Sequence, residues 1–217
     1  MRILWYQYFE FFSLLCALWC ARGLKSFSIL IFIPILLLDN LAEAVAVNHW
    51  HFNWDTNYFI YNIYYLLSTP LYLYLFAVML GGDRREKRRL LWVGIAIEAF
   101  MLLDYFVIQG IMPFNTFSAL LVAVMDIIFV CLILFRLTIR TDEQYFLLKD
   151  PYFWINAVLL LFSLVSLIVL GMHKYIVLYH LEFRHKNLYI AIIRAANAVL
   201  YTGYSAAFLL CQTQRSK

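Results

Sequence analysis

Seven ionisable side chains interrupt long apolar runs of this chain: Glu10, Asp39, Glu43, Glu98, Asp104, Asp126 and Arg194. A charge placed in hydrocarbon is costly even on insertion-based scales, so each is a candidate functional group. Six carboxyls and one guanidinium cannot all stay ionised in a low dielectric without partners. Three arrangements answer that imbalance. Protonated acids can hydrogen-bond to hydroxyls, Arg194 can pair with one or two acids, or a cation can be drawn in. The first two describe a bundle glued by interhelical polar bonds. The third describes a ligand pocket or an ion or proton pathway.

Spacing groups these acids with neutral polar residues. Asp39 and Glu43 are one helical turn apart and share a face. Tyr58, Asn62, Tyr65, Thr69 and Tyr72 recur at spacings of 4, 3, 4 and 3. Arg194, Asn197 and Tyr201 repeat the pattern, and Asn156, Ser163 and Ser166 add a third polar face. The candidate pocket set is therefore Glu10, Asp39, Glu43, Tyr58, Asn62, Tyr65, Glu98, Asp104, Asp126, Arg194, Asn197 and Tyr201. A second cluster lies in NHWHFNWD, where His49, His51 and Asp55 form a His-x-His pair with a nearby acid. Such a set suits a transition metal or a sensor of external pH. His, Trp and Tyr also favour the membrane interface, where Trp50 and Trp54 would anchor the same segment.

The elements that position these residues follow from composition. Of 217 residues, 65% are apolar and only 14% are charged, with a mean hydropathy of +0.79. A soluble domain is about half apolar and about a quarter charged. The chain reads as an all-α polytopic membrane protein, a single transmembrane domain over residues 1–217. Runs of about 20 apolar residues span a bilayer. Seven are expected, at 4–22, 26–47, 58–80, 89–110, 115–137, 151–172 and 187–211. Arg2 alone makes a poor signal-peptide n-region, and no cleavage site follows. Cys16, Cys20, Cys131 and Cys211 lie within apolar runs, so no structural disulfide is expected.

Lys and Arg set the orientation. Twelve fall in one set of connections and the tail, four in the opposite set. The richest is GGDRREKRR, with Arg84, Arg85, Lys87, Arg88 and Arg89. This places the N-terminus outside and the C-terminus in the cytoplasm of an inner membrane. With that orientation the intramembrane acids lie between the midplane and the outside, and His49, His51, His173, His180 and His185 are all external. An acid-rich polar cavity facing outward is the expected result.

Several functions are excluded. No soluble catalytic module fits, and the net charge of +4 sits in short connections, so nucleic acid is not a partner. No lysine lies within a span, which removes a retinal Schiff base. P-loop, Rossmann and nucleophile-elbow motifs are absent, and so is HExxH. No cofactor is implied, and an enzyme is not expected, although one acting on membrane lipid would suit acids and histidines at one level. Pro34 and Pro70 are potential kinks, and Gly203 with Ala207 makes one small-xxx-small pair. Asp150-Pro151 is a helix start, Asp as cap and Pro at the first position.

Three segments carry a resemblance. NYFIYNIYYLLSTPLYLYLF, DPYFWINAVLLLFSLVSLIVLG and NLYIAIIRAANAVLYTGYSAAFLL resemble the corresponding helices of small bacterial seven-helix membrane proteins common in Bacteroidota-type genomes. Its most specific element is Asp150-Pro151-Tyr152-Phe153-Trp154-Ile155. Such proteins are often encoded beside sensor histidine kinases. The resemblance implies a sensory or receptor-like membrane component that signals to a separate cytoplasmic partner. The 81–89 and 138–150 segments would be the contact surface. The competing expectation is a small-molecule or ion-coupled transporter using the same carboxylates; a structural subunit of a larger complex is a further one.

Overall fold

The structure, a computed structural model, describes residues 3–140, 147–179, 182–183 and 186–215. Almost all regular structure is helical. The helices are α1 (Gln7–Trp19), α2 (Ala21–Ser26), α3 (Phe32–Val47), α4 (Tyr58–Leu80), α5 (Arg84–Leu103), α6 (Thr116–Arg140), α7 (Pro151–Gly171), α8 (His173–Leu178) and α9 (Leu188–Arg215). A π turn, Asp104–Ile108, prolongs α5, and a two-residue antiparallel pairing joins Glu182–Phe183 to Lys186–Asn187. Four helices are long and apolar enough to cross a membrane: α4, α5 with its π turn, α6 and α7. The chain is thus a helical membrane protein.

Boundaries depart from the sequence expectation where local chemistry intervenes. The expected run 4–22 breaks at Cys20, so that α1 has 13 residues and α2 follows as a separate short helix. In the expected run 26–47, Ser26 ends α2 and helix resumes only at Phe32. Between them the chain reverses in a Schellman-type stop. Ile29 N donates to Leu24 O and Ser28 N to Lys25 O, each at 3.1 Å, with Ser28 at φ +58°. The third and sixth runs match α4 and α7 closely. At α7 the Asp150 carboxylate accepts from Tyr152 N at 2.8 Å, with Pro151 opening the helix. Pro34 falls in the first turn of α3, where the missing N–H is an orphan in any case, and α4 continues through Pro70.

The basic run 84–89 is helix rather than loop. Asp83 caps α5 by accepting from Glu86 N at 2.8 Å. α5 therefore begins five residues before the expected 89. Gly81, at φ +60°, closes α4 in the left-handed conformation that favours glycine.

Helix neighbours define a closed ring. α1 packs on α3, α3 on α4, α4 on α6, α6 on α7, α7 on α9, and α9 back on α1. α5 packs on the outside of this ring, chiefly against α4. At the end bearing the basic run the ring is filled. Phe32, Leu36, Phe76, Val130, Tyr204 and Phe208 are fully buried there, with Phe32 to Tyr204 ring centres at 5.0 Å and Phe76 to Phe129 at 5.4 Å. The four cysteines are free thiols, three of them buried.

Candidate functional site

At the opposite end the ring encloses a cavity of about 530 Å³. Every helix of the ring contributes to it and α5 contributes nothing. Its mouth lies among Trp50, Asn57, Tyr58 and Tyr189, and its floor near Tyr72 and Asp126. Tyr58 to Tyr72 is 14 residues of α4, so the cavity is about 20 Å deep at 1.5 Å per residue.

The walls descend in polar layers. Nearest the mouth, Glu43 on α3 accepts from Tyr6 Oη at 2.7 Å and Tyr61 Oη at 3.3 Å. The Arg194 guanidinium stands over the Tyr6 ring, 5.7 Å from its centre. One turn deeper, Asp39 accepts from Tyr64 Oη at 2.7 Å and Tyr201 Oη at 3.1 Å. Each of these carboxyls is thus held by two phenols from separate segments, Glu43 by Tyr6 at the start of α1 and Tyr61 on α4, Asp39 by Tyr64 on α4 and Tyr201 on α9. The glue is tyrosine to acid, and among the described residues Arg194 makes no ion pair. The one ion pair found there is Arg136 with Glu86, at 3.0 Å, at the other end of the molecule.

Two other acids of the cavity are less well served. Glu10 is 1% exposed and Asp126 is 9% exposed. Glu10 Oε2 and Asp126 Oδ1 have no hydrogen-bond partner among the described residues. The second oxygen of Asp126 has only a 3.4 Å bond from Ser163 Oγ. Tyr201 reaches toward Glu10 as well as Asp39.

Of the twelve residues expected to form a pocket, nine line this cavity: Glu10, Asp39, Glu43, Tyr58, Tyr65, Asp126, Arg194, Asn197 and Tyr201. Three do not. Asn62 faces the 111–115 segment, donating to Ile111 O at 2.8 Å and Pro113 O at 2.7 Å while its Oδ1 accepts from Asn115 N. Asp104 accepts from Ser118 N at 3.1 Å and Ser118 Oγ at 2.6 Å, and so caps the first turn of α6. Glu98 lies on α5, outside the ring. The tyrosine stripe is correspondingly rotated. Tyr61, Tyr64 and Ser68 face the cavity beside Tyr58, Tyr65 and Tyr72, whereas Asn62 and Thr69 do not. Tyr6, Tyr64 and Tyr61 were the residues that sequence spacing missed. For Tyr61 and Tyr64 the signal was the sheer density of Tyr in 58–74, which one helical stripe could not hold; Tyr6 carried none.

The metal candidates separate. His49 sits at the cavity mouth with Nδ1 2.9 Å from Ala46 O, while His51 and Asp55 are exposed. Among the described residues no group of three His, Cys, Asp or Glu is poised to hold a metal ion. His180 and His185 lie outside the described residues, and α8 begins at His173. No family model, curated protein or solved structure matches this chain.

Proposed function

We propose that this chain is a receptor-like membrane component that binds a small molecule in the ring cavity and passes its state to a separate cytoplasmic partner. The observation that carries the reading is a cavity of ligand size that is open at one end and plugged by aromatic packing at the other. Ligand sites measure about 300–1,000 Å³ and combine apolar walls with a few convergent polar groups. In this reading α1, α3 and α9 also cross, with α2 completing the first. That makes seven spans in an inner membrane, N-terminus outside. The basic run at the plugged end is then cytoplasmic, as Lys and Arg favour, and the cavity faces outward.

A physical link between the two ends supports signalling. α4 lines the cavity along half its length, and its last carbonyl, Leu80 O, accepts from Arg136 Nη1 at 2.9 Å. The same guanidinium grips both oxygens of Glu86, within the basic run. A shift of α4 on ligand binding would be felt by Arg84, Arg85, Lys87, Arg88 and Arg89. The family resemblance, with its histidine-kinase neighbours, points the same way.

Transport is the second reading. It is favoured by Pro70, which weakens α4 between Ser68 and Tyr72, beside the cavity floor.

The test has two arms. Ser68→Cys places a thiol on the cavity wall. In intact cells a membrane-impermeant thiol reagent is expected to label it above the wild-type background. In parallel, a C-terminally tagged protein is extracted in mild detergent and its companions identified by mass spectrometry. A stoichiometric kinase or regulator supports the receptor reading. An unlabelled Ser68→Cys removes the outward cavity, and substrate-dependent flux in liposomes without any partner moves the assignment to transport.

A further inference from the structure

The geometry points to an organic ammonium cation, bearing N–H donors and an apolar body, as the ligand of the ring cavity. This rests on the cavity being a ligand site, as proposed above, and adds the chemical class of the ligand. Four carboxyls, Glu10, Asp39, Glu43 and Asp126, face a volume that holds a single guanidinium, Arg194. If Arg194 balances its neighbour Glu43, the remaining three acids still leave the wall acidic.

These acids are not equivalent. Asp39 and Glu43 each accept two phenolic hydrogen bonds and serve as interhelical ties. Glu10 and Asp126 line the cavity, and each keeps one buried carboxyl oxygen without a partner among the described residues. A buried acceptor left unmade costs the full desolvation of that group. An ammonium that turns these two carboxyls toward it supplies the missing donors.

The rest of the wall selects the body of the ligand. Tyr64, Tyr65, Tyr72 and Tyr201 line the same cavity as these acids. Ring faces attract cations, and phenols that donate to carboxylates are the more electron-rich for it. Arg194 over Tyr6 displays this contact within the protein itself. A bare metal ion fits poorly. Calcium needs six to eight oxygens at about 2.3–2.6 Å, whereas these carboxyls are dispersed around a cavity of about 530 Å³. An anion meets the acids.

The experiment uses the full chain in lipid nanodiscs and calorimetric titration at constant ionic strength. The probes are tyramine, a primary ammonium with an aromatic body, and phenylpropionate, an anion of similar shape, with sodium chloride as the inorganic control. Tyramine is expected to bind saturably and at least ten-fold tighter than phenylpropionate. Glu10→Gln and Asp126→Asn should each weaken it ten-fold or more, while Glu98→Gln, outside the ring, leaves it unchanged. The comparison of probes is made on wild type, so it stands even where a variant fails to fold. Saturable binding of phenylpropionate but not tyramine, equal affinity in both cavity variants, or an effect reproduced by sodium chloride would overturn the ligand class. If Ser68→Cys is labelled from outside and tyramine does not bind, the cavity stands and only the ammonium falls. If Ser68→Cys is not labelled, both fall.

Discussion

Asn62 and Tyr65 stand nearly one turn apart on α4, yet they serve opposite edges of the same face. Tyr65 lines the cavity, while Asn62 is 0% exposed and clamps the segment entering α6 with three hydrogen bonds. Helical spacing groups residues within about 100° of arc, but it does not say which edge of that arc turns inward. Asn62→Leu keeps the branched shape and removes the polar atoms, leaving Asn115 N and two carbonyls without their partner. Each buried group left unpaired costs about 1–3 kcal/mol. The variant should unfold at a clearly lower temperature in detergent while still binding ligand when cold. A melting curve superimposable on wild type would show that the clamp contributes nothing. Asp104 teaches the same lesson. An acid in an apolar run draws attention as a ligand, yet here one of its oxygens accepts two hydrogen bonds from a serine three residues into the next helix. Of the arrangements open from the sequence, the one found at Asp39 and Glu43 is acid bonded to hydroxyl, with Tyr6 at the start of α1, Tyr61 and Tyr64 on α4 and Tyr201 on α9 as donors.

At the scale of elements, the contact between α7 and α9 depends on one glycine. A methyl built on Gly203 would stand 2.3 Å from Val158 Cγ1. Valine is stiff at χ1, so the helices must part rather than the side chain rotate away. Gly203→Ala should lower stability by about 1–3 kcal/mol, the usual range for overpacking. Val158→Ala in the same chain should recover most of that loss, and failure of the double variant to melt above the single one would locate the strain elsewhere. The small-xxx-small spacing of Gly203 and Ala207 was visible in the sequence; its partner Val158 was not, because two helices must first be placed side by side. Helix ends were legible where a side chain does the capping. Asp150-Pro151 reads directly as a start. Asp83 with Glu86 three residues on carries the same signature, and it explains why the basic run is helical. The stop at Ser28 was not legible, since nothing in its side chain demands a positive φ.

Across the whole molecule, the arrangement of six helices around the cavity with α5 outside decides which acids matter. The sidedness proposed for it makes a direct prediction. A C-terminal reporter active only in the cytoplasm should give full signal, and one fused after Trp54, beside the cavity mouth, should give none. Equal signals from both fusions would reverse or break the proposed topology. Neutralising Arg84, Arg85, Lys87, Arg88 and Arg89 should weaken that bias, because positively charged segments are retained on the cytoplasmic side.

The sequence by itself determined that the chain is helical and belongs in a membrane, and it singled out most of the polar residues that meet. Composition and periodicity are local properties, written into every stretch of twenty residues, so they survive without knowledge of the fold. Only the tertiary structure decided that Asp39 and Glu43 are tied by pairs of tyrosines and that Asn62, Asp104 and Glu98 stand apart. It also left Glu10 and Asp126, both lining the cavity, each with an unmatched buried oxygen. Those facts depend on the rotation of each helix about its own axis and on which helices are neighbours. Both are set by close packing between segments far apart in the chain, where a turn of one residue, about 100°, exchanges one wall for another.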